Sequence, residues 1–113
     1  FHGGKVALRR RPGRGLLAGL WEYPNELSQR QDPLADWHIT PLCREPAGAG
    51  KHIFTHIEWH MRALAVDAAG PELPEGWVWA GRRELEQVYA VPNAFQSFRS
   101  AVEQRLARWE GLP

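Results

Sequence analysis

Residues 11–25 read RPGRGLLAGLWEYPN, and this stretch decides the fold. Its first part, at 12–15, is built from proline, glycine and arginine and is typical of a loop. An apolar run punctuated by Gly19 follows at 16–21, and Pro24 ends it. We interpret the stretch as a loop followed by a short apolar segment.

A hairpin is predicted upstream of this stretch. Gly3 and Gly4 form a turn signal, and the Lys5–Arg9 segment that follows has the pattern of a strand. A turn so close to residue 1 needs a partner strand before it, of which Phe1 and His2 would be the remnant. We therefore expect the chain to be part of a longer protein, with its first strand truncated.

The most regular pattern lies at 51–67, a segment rich in β-forming residues. Apolar residues alternate with polar ones from Ile57 to Arg62, which predicts a strand with one wet face. The residues at 63–66 are apolar throughout and are expected to lie deep in a sheet. Before this segment we expect a short helix around Pro33–Trp37, a strand near Trp37–Leu42 and a flexible link at Ala47–Gly50.

The C-terminal part predicts a short strand at Trp77–Trp79, one or two helical turns at Arg82–Val88 and a longer final helix. Asn93 is placed to cap that helix and Gly111 to end it. An apolar stripe recurs along it at helical spacing: Phe95, Phe98, Val102, Leu106 and Trp109. Together these elements indicate an α+β domain on a mixed sheet, and 113 residues hold one such domain, 1–113.

Composition limits the possible functions. The chain is 43% hydrophobic with six Trp and four Phe, which indicates a packed globular unit. Its apolar runs are too short for a transmembrane helix or a signal peptide. Because Cys43 is the only cysteine, an internal disulfide, a cysteine-ligated iron–sulfur cluster and a zinc knuckle are excluded within the chain. We expect Cys43 to be a small buried hydrophobe in a reducing, cytoplasmic protein.

Net charge is only +1, but positive charge is concentrated at one end. The first fourteen residues contain no acid and five basic side chains: Lys5, Arg9, Arg10, Arg11 and Arg14. A surface that faces nucleic-acid phosphates explains this concentration, and a solvated basic hairpin explains it equally well.

Three segments resemble a known family. Residues 11–25 are similar to the GLLAGLWEFP signature that opens the Nudix-like C-terminal domain of A/G-specific adenine DNA glycosylases, the MutY family. The sequence HIFTHIEWH at 52–60 resembles that family's F-S/T-H loop, which leads into a long strand. The sequence YAVPNAF at 89–95 is similar to the proline-marked start of its last helix. The likeness extends from residue 5 to about residue 108.

The resemblance implies a Nudix-like mixed β-sheet flanked by helices, with a degenerate Nudix helix. It implies that the full-length protein is an adenine DNA glycosylase of base-excision repair, and that this chain recognises 8-oxoguanine opposite a mispaired adenine without being catalytic by itself. The implied partners are double-stranded DNA with that mispair and an N-terminal glycosylase domain, with no membrane. No metal or cofactor is expected in this chain, since the family's iron–sulfur cluster belongs to the N-terminal domain. A bacterial, DNA-associated protein of the cytoplasm is expected.

By residue, the resemblance assigns lesion binding to Phe54, Thr55 and His56. Phe54 is expected to wedge or stack beside the lesion, and His56 to contact a phosphate. Oxidation gives guanine a hydrogen-bond acceptor at position eight and turns N7 into a donor. A threonine hydroxyl can donate to the first or accept from the second. Such a bond discriminates by about 1–3 kcal/mol. Further phosphate contacts are expected from Lys51, His52, Arg10, Arg11 and Arg14.

Structural explanations of the same residues stay open. Without the resemblance, Phe54 at the start of a strand is more typical of a core residue. His52, His56 and His60 recur four apart, a spacing that binds zinc on a helix. In a strand, residues four apart are separated by roughly 13 Å, which disfavours a shared metal.

Two other functions compete with lesion recognition. An active Nudix hydrolase needs a helix with an arginine and three clustered glutamates (REUxEExGU) shortly after Pro24. Residues 25–45 have only four acids, Glu26, Asp32, Asp36 and Glu45, and isolated carboxylates cannot build a multidentate magnesium site. The second competitor is a protein-interaction module on the same fold, served by exposed apolar residues in the acidic C-terminal half.

Overall fold

The computed structural model describes residues 1–26 and 33–110, which fold as two small β-sheets with helices packed against them. The elements are β1 Val6–Arg10, β2 Trp21–Glu22, α1 Pro33–Asp36, β3 Pro41–Ile53, β4 Glu58–Ala68, β5 Val78–Ala80, α2 Arg82–Gln87 and α3 Gln96–Glu110. A 3₁₀ turn, Asn93–Phe95, leads directly into α3. None of the helices within these ranges is long and apolar enough to cross a membrane. The α+β class predicted from the sequence is confirmed.

The glycine pair near the start forms the predicted hairpin turn. Gly3 and Gly4 have φ angles of 59° and 78°, in the left-handed region that glycine adopts without strain. His2 and Lys5 close the turn with two backbone hydrogen bonds: His2 N–H donates to Lys5 O at 3.0 Å, and Lys5 N–H donates to His2 O at 3.1 Å. The chain then enters β1, whose first three residues are buried.

The two sheets meet at Phe1. β1 is the central strand of an antiparallel sheet in the order β2-β1-β5, and β3 and β4 form a long antiparallel hairpin. The backbone nitrogen of Phe1 donates to Val66 O at 2.7 Å, and its carbonyl accepts from Ala68 N–H at 2.8 Å. Two bonds to the residues on either side of Asp67 are the pattern of a parallel bridge. These bonds link the N-terminus to β4, while the strand pairs within both sheets are antiparallel.

The core lies between the three-stranded sheet and α3. Its buried side chains come from β1, β5 and α3: Val6, Leu8, Ala80, Val102 and Leu106. Arg105 of α3 ties this helix to the hairpin, because its guanidinium donates to Asp67 at 2.6 Å and also to Glu45. The helix is thus fixed to both sheets, by apolar contact on one side and by ion pairs on the other.

The apolar stripe predicted along the last helix is confirmed except at its C-terminal end. The buried members are Phe95, Phe98, Val102 and Leu106, whereas Trp109 is half-exposed. Trp109 lies over Gly4, where a Cβ would collide with its indole ring. The predicted cap is wrong: Pro92 is the N-cap of the 3₁₀ turn and no side chain bonds the free N–H groups there. Gly111 lies outside the described residues.

β3 is much longer than the sequence indicated. Because Pro41–Ile53 is one strand, the predicted strand near Trp37–Leu42 and the predicted flexible link at Ala47–Gly50 are wrong. Residues 37 and 38 instead form the turn after α1, a helix that was predicted. Alanine and glycine have weak strand preferences of their own. The ladder to β4 supplies their hydrogen bonds, with a bulge in the middle of the strand.

One face of the β3–β4 hairpin is covered and the other is open. From Glu58 to Leu64 every second residue of β4 is exposed and the others are partly buried. Gly50 lies on the covered face, directly against Ser97 of α3. Leu64, which was expected deep in the sheet, is 61% exposed, and Cys43, which was expected to be buried, is exposed. Both predictions were wrong because helices cover this sheet on one side only.

The two faces should differ in their effect on stability. Leu106 is 1% exposed in the core and Leu64 is 61% exposed on the open face. We expect Leu106→Ala to lower the free energy of unfolding by about 2–5 kcal/mol, because the truncation leaves a cavity. Leu64→Ala should change it by less than about 0.5 kcal/mol. Denaturant unfolding followed by circular dichroism measures both values, and equal losses would contradict an open face.

Candidate nucleic-acid interface

The predicted lesion-binding residues lie at the tip of the β3–β4 hairpin. A tight turn at 54–57 joins the two strands, closed by a hydrogen bond from Phe54 N–H to Ile57 O at 2.7 Å. Thr55 and His56 are exposed at the apex, and Phe54 is partly buried at its base. The structure thus brings the three residues together at one end of the molecule and presents a hydroxyl and an imidazole to solvent.

Phe54 belongs to a row of aromatic rings that extends from the hairpin tip toward the core. Its ring meets His52 and Trp59 edge-on, with centroids 4.6 Å and 4.8 Å away. Trp59 in turn lies 5.9 Å from Phe95, which lies 6.3 Å from Tyr23. Offset and edge-to-face pairs of this kind are favourable and restrict ring orientation. Phe54 is therefore held at the rim of the row, neither in the core nor free in solvent.

Exposed isoleucines flank the tip, and the sequence reasoning missed them. Ile53, the last residue of β3, is 62% exposed, and Ile57, the last residue of the turn, is 48% exposed. Together with Phe54 they give the tip an apolar surface on both sides of its polar apex. Apolar residues on both sides of a two-residue polar turn were the signal in the sequence that pointed to them. Apolar side chains grouped on a projecting turn are typical of a contact surface.

The basic residues predicted to touch phosphate have different environments. Lys51 is exposed and pairs with Glu58 at 3.4 Å across the hairpin. His52 is partly buried against Phe54. Arg10 is exposed, with its Nε donating to Gly19 O at 3.2 Å. Arg14 is exposed in the loop that follows β1. All three of Lys51, Arg10 and Arg14 are exposed, but Lys51 is paired with Glu58, and Arg10 also lies over the Trp21 ring with its Cζ 5.7 Å from the ring centre.

Arg11 points inward instead. Its side chain is only 18% exposed, and its guanidinium is engaged from three directions. Nε donates to Leu16 O at 2.9 Å, one terminal nitrogen donates to Glu22 at 2.8 Å, and Cζ lies over the Trp59 ring, 4.9 Å from its centre. Arg11 thus connects the 11–25 segment to the aromatic row at the hairpin tip.

Glu22 is the buried charge that collects these contacts, and no sequence signal identified it. Its two oxygens accept hydrogen bonds from Arg11, from Arg9 Nε at 2.9 Å and from Asn25 Nδ2 at 2.9 Å. A carboxylate removed from water needs such partners, because an unpaired buried charge is very costly. The Glu22 cluster therefore fixes the positions of both arginines relative to β2.

Arg9 extends the cluster away from the hairpin tip. Its guanidinium lies 5.8 Å from the ring centres of both Trp37 and Trp77, and it also donates to Asn25 O at 2.6 Å. The two tryptophans meet edge-on at 5.0 Å. Glu22 therefore holds one arginine over the aromatic row and a second over a separate aromatic pair.

A family model described as a NUDIX domain matches residues 1–101 of the chain. The chain belongs to the Nudix domain family. Its relatives among curated proteins include adenine DNA glycosylases of Schizosaccharomyces pombe (29% identical, 85% of this chain, 24% of that protein), Homo sapiens (30%, 83% and 20%) and Arabidopsis thaliana (35%, 60% and 14%). The Nudix domain described here thus spans about a quarter or less of the length of these relatives.

Comparison with solved structures shows which type of Nudix domain this is. It is similar to the C-terminal domain of mouse MUTYH, whose crystal structure is of a complex with human PCNA. The TM-score is 0.64 with 27% sequence identity, and the match covers 89% of this chain and 77% of that chain. The Nudix domain is therefore of the MutY-like C-terminal type, as the sequence predicted.

The residues present do not fit the metal site of a Nudix hydrolase. Among the described residues Glu22 is the one buried acid, and its oxygens are already bonded to Arg9, Arg11 and Asn25. No group of three or more His, Cys, Asp and Glu side chains in residues 1–26 and 33–110 is arranged to hold a metal ion. Asp32, one of the acids counted in the sequence, lies outside those ranges. No metal-dependent step is assigned to this site.

Tyr23 should make stability fall at alkaline pH. Burial, with a smaller contribution from Glu103, raises the pKa of the Tyr23 hydroxyl above its ordinary value of 10.0, against a lowering effect of Arg99. A raised folded-state pKa stabilises the protein fully below the unfolded-state pKa, and this stabilisation is lost as pH rises through the folded-state pKa. We expect the free energy of unfolding to fall more steeply above pH 10.0 in the parent than in Tyr23→Phe. Urea unfolding across that range measures both slopes, and parallel profiles would contradict the burial of Tyr23.

Proposed function

We propose that this Nudix domain is the lesion-recognition domain of an adenine DNA glycosylase, which binds 8-oxoguanine opposite a mispaired adenine in double-stranded DNA and is not catalytic by itself. The observation that carries the proposal is the hairpin tip, where Thr55 and His56 are exposed at the apex and Phe54 packs at its base on the rings of His52 and Trp59. The relatives that match the chain are adenine DNA glycosylases, which supports the same conclusion.

The chemistry of the tip suits an oxidised purine. 8-Oxoguanine differs from guanine by a carbonyl oxygen at position eight and by a proton on N7. The exposed hydroxyl of Thr55 can donate to that oxygen or accept from that N–H. Phe54, with Ile53 and Ile57 beside it, supplies an apolar surface that can insert next to a base step. His56 lies at the apex beside Thr55, within reach of a neighbouring phosphate.

The basic residues provide affinity rather than selectivity. Phosphate contacts carry no sequence information, but they orient a protein on the duplex. Lys51 and His52 lie at the base of the tip on β3. Arg10 ends β1 just before Arg11, which contacts Trp59, and Arg14 lies in the loop after Arg11. These basic residues would contact phosphates of the DNA backbone on either side of the lesion. Arg11 would act mainly through its internal contacts, because its donors are already engaged.

Adenine excision is proposed for the whole protein only. In this proposal an N-terminal glycosylase domain, which carries the iron–sulfur cluster, flips and removes the adenine, while the Nudix domain holds the opposite strand. The cytoplasmic, DNA-associated location expected from the sequence stays a prediction. The division of labour requires no titratable catalytic pair in this chain.

Binding to a protein partner is the second candidate function. The observation in its favour is that the similar mouse domain was crystallised with human PCNA. The two functions are compatible, because a hairpin tip and another surface can be occupied together. If the Nudix domain showed no affinity for any duplex, this second function would be the better explanation of the chain.

Lesion selectivity should depend on the hairpin tip. We expect the 113-residue chain to bind a duplex with an 8-oxoguanine:adenine mispair more tightly than one with guanine:adenine. Thr55→Ala should lower that ratio by roughly 5- to 150-fold, the equivalent of one discriminating hydrogen bond, and adding Phe54→Ala should lower it further. Thr40→Ala removes the other threonine of the chain, which is exposed at a distance from the turn, and should leave the ratio unchanged. Fluorescence anisotropy titrations give both dissociation constants. An unchanged ratio in the double variant would defeat the assignment.

Arg14 should affect both duplexes equally. If it contacts one phosphate, Arg14→Ala should weaken binding to damaged and undamaged DNA by the same factor. It should also reduce the slope of log K against log salt by about 0.9. Arg108→Ala, at the opposite end of α3 from Phe95, is the control and should change neither. Titrations at four salt concentrations measure the slope, and a selective loss of lesion binding would show that Arg14 reads the base instead.

A further inference from the structure

We infer that Glu22, Arg11 and Trp59 form a positioning stack that orients Phe54 at the hairpin tip and thereby sets lesion selectivity. This inference rests on the proposed function and deepens it. None of the three residues is exposed at the apex, so they act through Phe54 rather than on the lesion itself.

The first step is the fixed carboxylate. Glu22 is 1% exposed, so its charge depends on the partners around it. One oxygen accepts from Arg11 at 2.8 Å and from Asn25 at 2.9 Å, and the other accepts from Arg9 at 2.9 Å. Asn25 also donates to Tyr23 O at 2.8 Å, which attaches the carboxylate to its own backbone segment. The cluster therefore provides a rigid anchor.

The second step is the orientation of Arg11. A guanidinium has donors in one plane, so two bonds in different directions determine the orientation of that plane. Nε bonded to Leu16 O at 2.9 Å and the terminal nitrogen bonded to Glu22 supply these two directions. In this position the central carbon of the guanidinium, Cζ, lies 4.9 Å from the centre of the Trp59 ring, within the range of a cation–π contact.

The third step leads from Trp59 to the tip. Trp59 lies on β4 opposite His52, and Phe54 meets the rings of both residues edge-on. With Arg11 covering Trp59 and Phe95 beside it at 5.9 Å, the indole cannot rotate without breaking one of these contacts. Phe54 therefore packs against the rings of both His52 and Trp59, and its position depends on the orientation of Trp59. Loss of Arg11 would let the indole of Trp59 turn, and Phe54 would no longer be held in one position.

Arg9 offers a matched control within the same cluster. It bonds the same carboxylate at 2.9 Å and also lies over aromatic rings, but those rings belong to Trp37 and Trp77. Arg9→Met and Arg11→Met each remove one guanidinium from Glu22 and leave the other in place. The two variants differ in whether the lost arginine covers Trp59.

The experiment compares these variants of the 113-residue chain on duplexes with 8-oxoguanine:adenine and guanine:adenine mispairs. We expect Arg11→Met to lower the lesion-to-undamaged affinity ratio by roughly two- to thirty-fold, the range of one partly buried cation–π contact. Trp59→Leu should lower it at least as much. Arg9→Met should lower it less than Arg11→Met, because Arg11 keeps its bonds to Glu22 and Leu16 and its contact with Trp59. Arg11→Lys, which keeps the charge but loses the planar fork, should restore part of the ratio and covers the case in which Arg11→Met does not fold.

A spectroscopic measurement without DNA separates positioning from stability. The indole N–H resonance of Trp59, assigned with Trp59→Leu, should shift and broaden in Arg11→Met and change less in Arg9→Met. Equal losses of selectivity in the two arginine variants, or an unperturbed Trp59 resonance in Arg11→Met, would overturn the positioning role alone. A parent chain without any preference for 8-oxoguanine would overturn the proposed function, and with it the role in selectivity.

Discussion

The burial of one carboxylate is the constraint on which the rest of this structure depends. Glu22 lies in a two-residue strand with almost no exposed surface, and a charge in that position is tolerated only with partners. Arg9 and Arg11, which lie two residues apart in the sequence, supply these partners. Because both arginines are committed to Glu22, the end of β1 and the loop after it cannot move independently of β2.

This anchor is what gives a projecting hairpin a defined tip. A two-stranded hairpin with one open face has little stiffness of its own, and its polar apex would have many conformations in isolation. The aromatic row of Phe54, Trp59, Phe95 and Tyr23 connects the tip to α3 and to the segment around Glu22. The proposed recognition groups are thus carried by a turn whose base is held by packed side chains, an arrangement that favours selectivity.

The Nudix family supplies the scaffold but not the chemistry. An active Nudix hydrolase needs clustered glutamates at a metal site. In this chain the buried glutamate, Glu22, is instead hydrogen-bonded to Arg9 and Arg11 and fixes their positions. Function on a common fold follows from the site and not from the architecture. In this chain the candidate site is an exposed turn with a hydroxyl and an imidazole at its apex and apolar side chains beside it, for which we propose recognition of a base and no catalysis.

The sequence by itself determined local features such as the Gly3–Gly4 turn and the helical stripe of α3. These depend on backbone preferences and on periodicity within a few residues, which the order of residues encodes directly. The segment at 51–67, which its pattern indicated as strand, instead ends β3 at Ile53 and begins β4 at Glu58, with Phe54, Thr55 and His56 in the turn between them. Only the tertiary structure decided that Ala47–Gly50 continues a strand, that Leu64 and Cys43 are exposed, and that Arg11 lies over Trp59. Each of these depends on partners far along the chain, because ladder hydrogen bonds, burial and ion pairing are properties of what packs against a residue and not of the residue's neighbours in sequence.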